Sequence, residues 1–428
     1  MIVSVILLLF LLLGIGLPVA LALGLSGAVG LAMVGGIDLM LGMLASAPGS
    51  AITNYELLTI PMFLLMAEFM VASRISNSLF DAIACWTTRL RGGLGIATAI
   101  TGAAFGAISG SSTASAATLS SSSVPSMISQ GYEPRFAAGI VAISGTLAMI
   151  IPPSIAIIFY GLLSGVSIAQ LLIAGIIPGL MVMLTIMLTI RFLIWRTPSL
   201  AGPDGRSTWR EKLSSLRIAG PFMALFLLVT GLIYLGITTP VESSAIGALG
   251  AMLLTLNRGQ LSWPILVEVL ANTCITSAMI GFIIVCAQLL SYFVTLTGVT
   301  QGLIAQIDVW GMSPYAVLAV LVVVYLVLGF FLDQISILIL TVPIVLPLTN
   351  SLGFDPIWFG ILVILLAEIG LVTPPVGLNL FVVASATGQP IEGVMYGAFP
   401  HVLAHLVLIV LLIIFPQIVL WLPETMMH

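Results

Sequence analysis

The sequence predicts an all-α polytopic membrane protein made of two related halves, each with one re-entrant hairpin and one broken helix. Three observations carry that prediction. Of the 428 residues, 60% are hydrophobic and 6% charged, and the mean hydropathy of +1.28 is one that soluble globular chains do not approach. Apolar runs of roughly 20 residues, the length that about 30 Å of hydrocarbon demands of a helix, recur from one end of the chain to the other. The residues that break helices repeat at one fixed offset.

The opening stretch MIVSVILLLFLLLGIGLP has neither a basic n-region nor a small-residue cleavage site, so it reads as a retained first span. Spans are expected at about 2–16, 18–35 and 56–72, followed by an amphipathic arm over 75–91. A segment over about 93–130 comes next, then spans near 136–163 and 168–196. After a basic loop come spans at 217–236, 240–257 and 265–297, a second unusual segment at about 315–350, and spans at 357–386 and 392–421.

The eleven basic residues fix the orientation. They fall at Arg74, Arg89 and Arg91, at Arg135, at six positions from Arg191 to Arg217 including Lys212, and at Arg258. Placing all of them inside, as the positive-inside rule asks, puts Arg91 and Arg135 on one face, so 93–130 must enter and leave by that face. The loops expected at 36–55, 298–314 and 351–356 carry no Lys or Arg, which makes 315–350 a second hairpin entering from outside. Both termini then lie outside, on the periplasmic side if the membrane is a bacterial inner membrane.

A shift of 222 carries Gly14, Pro18, Pro125, Gly131, Pro134, Pro152, Pro153, Gly175 and Pro178 onto Gly236, Pro240, Pro347, Gly353, Pro356, Pro374, Pro375, Gly397 and Pro400. Six of the ten prolines before residue 204 recur at that one offset, where chance would give fewer than one. The halves are 1–205 (three spans, arm, hairpin, two spans) and 206–428 (three spans, hairpin, two spans). Five full spans per half is an odd number, so the second copy runs through the membrane inverted. Inverted halves with interrupted helices at matching positions point to a secondary transporter whose site sits near the midplane.

Backbone that leaves the helix inside hydrocarbon must find polar partners, so it occurs where it is buried or lines a cavity. Four stretches fit: the tip SGSST (Ser109, Gly110, Ser111, Ser112, Thr113), the break IIPPS around Pro152, Pro153 and Ser154, the tip GFFLDQ with Gly329 and Asp333, and the break VTPPVGLN with Thr373, Pro374, Pro375, Gly377 and Asn379. Each Pro-Pro step removes two N–H donors and frees carbonyls about one turn back, at Ala148, Met149 and Gly370. Freed carbonyls and hydroxyls are hard oxygen ligands suited to Na⁺. The helix that starts after each break offers unpaired N–H groups suited to a carboxylate. One tip with one break per half therefore predicts two cation sites flanking an anion site: Ser109, Gly110, Ser112, Ala148 and Met149 for one cation, and Gly329, Asp333, Gly370, Thr373 and Gly377 for the other. Ser111, Ser112, Thr113, Ser154, Asp333 and Asn379 are the candidates for the substrate.

Some polar residues have a competing explanation. The tract Ser120 to Ser123 reads as a small-residue packing surface. Acids within spans are functional candidates, Asp333 foremost, with Glu68, Glu242 and Glu368 also open to helix-end or network roles. His401 and His405 are one turn apart but lack the further ligands of a transition-metal site. Cys85, Cys274 and Cys286 form no pair motif and read as packing residues. A net charge of −4 and no basic patch leave no case for nucleic acid. A serine hydrolase using Ser109 or Ser111 with His401 or His405 is the alternative of another class, and it would require Ser and His within hydrogen-bond reach.

At these residues the chain resembles a known family. GAISGSSTASAAT, GYEPRFAAGIVAISGTL, IIPPSIAIIFYGLL with LLIAGIIPG, GFFLDQISILILTVPIVLP, LGFDPIWFGIL and TPPVGLNLFV occur in order over essentially the whole chain. Together they resemble the large membrane subunit of TRAP transporters, the DctM-like family. The resemblance implies a non-enzymatic, sodium-driven elevator in the bacterial inner membrane, with Na⁺ as coupling ion and no other cofactor. It also implies import of an organic acid, such as a C4-dicarboxylate, a sialic acid or a sugar acid, delivered by a periplasmic DctP-like binding protein. A small four-helix DctQ-like subunit is the implied membrane partner. By residue, Ser109, Gly110, Ser111 and Ser112 correspond to the family's first hairpin and Pro152, Pro153 and Ser154 to its first break. Gly329 and Asp333 correspond to the second hairpin, and Thr373, Pro374, Pro375, Gly377 and Asn379 to the second break.

Overall fold

The computed structural model describes residues 1–202 and 207–426; Arg206 and the expected boundary at 205/206 lie outside the described residues. The first half runs α1 (Ile2–Gly14), α2 (Val19–Ile52), α3 (Thr59–Ala72), α4 (Ile75–Thr87), α5 (Gly93–Ser109), α6 (Ser112–Ser129), α7 (Pro134–Thr146), α8 (Ile155–Ser164), α9 (Ile168–Ala174) and α10 (Ile176–Arg196). The second runs α11 (Trp209–Tyr234), α12 (Pro240–Asn257), α13 (Trp263–Thr297), α14 (Val299–Trp310), α15 (Pro314–Phe331), α16 (Gln334–Ser351), α17 (Pro356–Gly370), α18 (Leu378–Thr387), α19 (Ile391–Ile414) and α20 (Gln417–Glu424). No strand forms among the described residues. Seven of the helical runs there are long and apolar enough to cross a bilayer. The chain is an all-α polytopic membrane protein with two helical hairpins and two broken helices.

Helix boundaries recur at the offset that the prolines set. Shifted by 222, α6 coincides with α16 at both ends, α5 and α7 start within one residue of α15 and at α17, and α8 falls one residue before α18. Both Pro-Pro bonds are cis.

Two stretches expected as loops are helical. The expected loop 298–314 contains α14, the counterpart of the arm α4 at the same offset, so the second half has an arm of its own. Its inward face is narrow: Val299, Thr300, Ile304 and Ile307 are buried or half-buried, while Leu303, Val309 and Trp310 are exposed. The expected loop 36–55 is largely the continuation of α2, which bends at Gly35 and Gly36, the latter with φ +77°. A left-handed glycine redirects the axis without ending the apolar run, so LMLGMLASA stays helical beyond it.

Outside the hairpins, helices close on one another through missing side chains, as membrane packing favours. Gly24, Gly27 and Gly30 of α2 abut Cys286, Leu290 and Phe293 of α13, and a Cβ on Gly27 would lie 2.6 Å from the Leu290 amide nitrogen. α3 and α12 are tied by the Thr255 hydroxyl, which donates to the Phe69 carbonyl at 2.8 Å. α7 and α19 cross at Gly139 and Gly397, where a Cβ would meet backbone at 2.1 Å. The arm α4 is fastened to α11 by the Trp86 indole N–H donating to Ser215 Oγ at 2.9 Å. Lys212 also sits over the Trp86 and Trp209 rings, 5.5 and 5.3 Å from their centroids.

Candidate functional site

The first tip is built from a left-handed turn and a cap. α5 ends at Ser109; Gly110 takes φ +57° and its N–H donates to the Gly106 carbonyl at 3.0 Å. Ser111 is extended and its hydroxyl oxygen caps α6 by accepting from the Ala114 N–H at 3.4 Å. The hydroxyls also bind each other: Ser109 Oγ lies 2.7 Å from Ser115 Oγ, closing the tip across its two arms, and Ser111 Oγ lies 3.3 Å from Thr113 Oγ1. Farther along α6, Ser120, Ser121, Ser122 and Ser126 donate back to carbonyls three or four residues earlier. Those serines keep their hydrogen bonds within one helix, while Ala116 packs where a Cβ on Gly145 would lie 2.8 Å from it.

The second tip uses a carboxylate where the first uses a hydroxyl. Leu332 is extended, and Asp333 caps α16, its Oδ2 accepting from the Ile335 and Ser336 N–H groups at 3.1 and 3.2 Å. The Ser336 hydroxyl donates to its Oδ1. Asp333 is exposed and all its hydrogen bonds stay within the first turn of its own helix. The neighbouring Gln334, not singled out by sequence, is buried; its Nε2 donates to the Ile364 carbonyl of α17 at 3.3 Å and its Oε1 has no partner.

Each break leaves the same carbonyl to be satisfied. Helical geometry would pair Met149 O with residue 153 and Leu371 O with residue 375, both prolines without an N–H, and 149 and 371 are counterparts at the offset of 222. In the first half the Ser154 hydroxyl donates to Met149 O while its oxygen accepts from the Ile157 N–H at 3.3 Å, capping α8. In the second half the Asn379 backbone N–H donates to Leu371 O at 3.0 Å. Thr373 steadies that break with its N–H on Gly370 O at 3.1 Å and its hydroxyl on Ile369 O at 2.6 Å. Gly377, with φ +58°, starts α18.

Tips and breaks meet by close backbone contact. α5 crosses the 3₁₀ turn before the first break at Gly106, where a Cβ would lie 2.6 Å from Ala148 Cα. α15 crosses α17 at Gly329 and Gly370, where a Cβ on Gly370 would lie 2.3 Å from Gly329 Cα. Thus Ala148 lies at one crossing, against Gly106, and Gly329 and Gly370 at the other, while Gly110 faces Ile155 just after the first break. The halves are also pinned together. Asn379 Nδ2 donates to Ser112 Oγ at 2.5 Å and to the Ala142 carbonyl at 3.5 Å, with Asn379 Oδ1 unpartnered and both side chains wholly buried. Second arms pack across halves, α6 against α18 and α16 against α8.

The remaining acids and histidines sit elsewhere in the fold. Glu68 accepts from Asn272 Nδ2 at 3.3 Å, Glu242 forms a capping box with Thr239, and Glu368 is buried on α17 one turn beyond Ile364 with Oε1 unpartnered. His401 and His405 are buried on α19, and neither ring bonds to any tip hydroxyl among the described residues.

Comparison with known proteins gives one consistent result. The model of the family described as the tripartite ATP-independent periplasmic transporter, DctM component, matches residues 6–418. The C4-dicarboxylate TRAP transporter large permease protein DctM of Pseudomonas aeruginosa is 35% identical over 87% of each chain. The ectoine TRAP transporter large permease protein TeaC of Halomonas elongata is 29% identical over 96% of each. Among solved structures, the Alcanivorax borkumensis YdaH transporter, described as having an unusual topology, superposes with a TM-score of 0.67 over 94% of this chain and 98% of its own, at 14% identity; the likeness there is one of fold.

Proposed function

The chain belongs to the DctM component of the tripartite ATP-independent periplasmic transporters, and from that membership we propose that it imports a small carboxylate together with Na⁺ by an elevator movement. The coarser facts come with the family: it is a multi-pass subunit of a bacterial membrane transporter, one of a family of permeases rather than enzymes, and it works with a small membrane subunit and a substrate-binding protein.

The observation that carries the proposal is the Asn379–Ser112 bond between one half's broken helix and the other half's hairpin. It joins the two tip-and-break pairs into one body with hydroxyls, carbonyls and the unpartnered Asn379 Oδ1 at its centre. On this reading Ser109, Gly110, Ser112, Ala148 and Met149 ligate one Na⁺, and Gly329, Asp333, Gly370, Thr373 and Gly377 a second. Ser111, Thr113, Ser154, Asp333 and Asn379, with Ser112 shared, face the carboxylate. The hairpins and broken helices move as that body, while the glycine-closed pair α2 and α13 and the pair α3 and α12 stay as scaffold. Movement of each net positive charge inward is worth about 2.3 kcal/mol per 100 mV, so two Na⁺ drive a monoanion and a dianion needs a third. The relatives' printed substrates, a C4-dicarboxylate and ectoine, both carry carboxylates.

The test is uptake into proteoliposomes containing the chain and its small subunit, with the cognate binding protein, under an imposed Na⁺ gradient and with a panel of carboxylates. Uptake of one acid that collapses when Na⁺ is replaced by K⁺ is expected; uptake indifferent to Na⁺ would overturn the coupling. Cross-links between α3 and α5, which pack against each other, that leave uptake intact would overturn the elevator. For the serine hydrolase alternative no observation speaks: tip hydroxyls bond to one another, and the histidines lie on α19.

A further inference from the structure

Arg91 closes the link between α4 and α5, and Arg191 lies near the end of α10; although far apart in sequence, they line one cleft of about 450 Å³ with Leu188, Phe192, Ile194 and Trp195. The link is held against α10 by Gly92, whose Cβ would lie 2.4 Å from Ile194 Cδ1. No carboxylate lines the cleft. Neither guanidinium makes a hydrogen bond or an ion pair among the described residues. Both are exposed, and so is Trp195, at 78%.

Below the arginines the outward face of α10 is an apolar strip. Leu180 and Leu184 continue the line of Leu188 and Phe192, each four residues on and each half exposed. From residue 180 to residue 192 a helix rises about 18 Å, close to the depth of one leaflet of a hydrocarbon core about 30 Å thick. Trp195 sits where such a strip meets the boundary region that tryptophan favours. Two unpaired guanidinium forks at the mouth of a leaflet-deep apolar strip match a phosphodiester with an acyl chain beneath it.

We propose that Arg91 and Arg191 bind the phosphate of an anionic phospholipid of the phosphatidylglycerol class, with an acyl chain lying along Leu180 to Phe192 on the membrane face that carries the basic loops. The charge balance selects this occupant. Two uncompensated cations favour a lipid whose headgroup carries one net negative charge over a zwitterionic one, whose tethered cation they repel.

The experiment is native mass spectrometry of the purified full-length chain titrated with phosphatidylglycerol and, separately, with phosphatidylcholine. One phosphatidylglycerol is expected to bind in preference to phosphatidylcholine. The R91Q/R191Q variant is expected to bind it roughly 30-fold more weakly, the combined worth of two arginines at a membrane surface. R196Q, which removes a neighbouring exposed arginine that does not line the cleft, is expected to bind as the parent does. Should the double variant fail to purify as a folded chain, R91Q alone, in an exposed link, is read instead, with about fivefold weaker binding expected. Unchanged binding in the arginine variants, equal binding of phosphatidylcholine, or an equal loss in R196Q overturns the site. Displacement of the lipid by millimolar inorganic phosphate overturns its assignment to a lipid.

Discussion

Gly370→Ala tests the crossing on which the second tip depends. A Cβ there would sit 2.3 Å from Gly329 Cα and 2.5 Å from Gly329 C, whereas carbon atoms rest at about 3.5–4.0 Å. Relief requires α15 and α17 to part by more than ~1 Å. No flexible side chain stands at the contact to absorb that shift. Overpacking of this kind costs about 1–3 kcal/mol, and at about 2 kcal/mol the ratio of closed to open tip falls roughly 30-fold. If Na⁺ binds the closed tip, the Na⁺ concentration for half-maximal uptake rises, by at most that factor, and thermal unfolding shifts down. The first half accommodates Ala148 by presenting Gly106, one residue before the counterpart of Gly329; its crossing has a different register, so the second half cannot borrow that solution without sliding α15. The control is Gly281→Ala in α13, where a Cβ would meet nothing within 4 Å and the helix gains up to about 1 kcal/mol. Proteoliposome uptake against Na⁺, with melting followed by tryptophan fluorescence, reads both effects. Parent-like Na⁺ dependence in Gly370→Ala, or equal damage from Gly281→Ala, would refute the reasoning.

Other outcomes follow from single contacts. A double-mutant cycle on Asn379→Ala and Ser112→Ala, whose side chains meet at 2.5 Å, is expected to give a coupling of about 1 kcal/mol in thermal or denaturant stability; additive effects would mean the bond is not made in the membrane. Asp333→Asn keeps a residue able to cap α16 while removing the charge, so melting should hold while Na⁺-driven uptake falls at least tenfold. Asp333→Ala should lose both, by about 1 kcal/mol in stability; full uptake in Asp333→Asn would show that Asp333 serves only as a cap. Thr239→Ala removes one side of an exposed capping box on α12 and should cost about 1 kcal/mol with no change in the Na⁺ concentration for half-maximal uptake.

Much of the architecture was legible because proline and glycine act on the backbone directly. Pro152, Pro153, Pro374 and Pro375 mark breaks by removing donors whatever surrounds them, and both breaks are where the prolines put them. α14 is overlooked when the lack of Lys and Arg over 298–314 is read as an outside loop, although Thr300, Ile304 and Ile307 stand at helical spacing. The continuation of α2 was not legible either, since glycines and the absence of Lys or Arg resemble an outside loop until packing decides. At the site, Ser111 and Asp333 stand where a cap is expected before a helix. The bond between Asn379 and Ser112 spans 267 positions and has no local signal at all. Gln334 was passed over because its neighbour carries the charge, yet it is Gln334 that reaches α17.

The two breaks also differ in what must move for them to change. Met149 O is held by one side-chain hydroxyl, and Ser154 can release it by rotating a single χ angle. Ser154 is wholly buried and its oxygen also caps α8, so that rotation breaks side-chain bonds but needs no movement of the helix. Leu371 O is held by the main-chain N–H of Asn379, so it is released only when the start of α18 moves, a collective step of microseconds or longer. Two breaks at matching positions therefore differ in what must move to free the same carbonyl, one side chain in the first half and the start of a helix in the second.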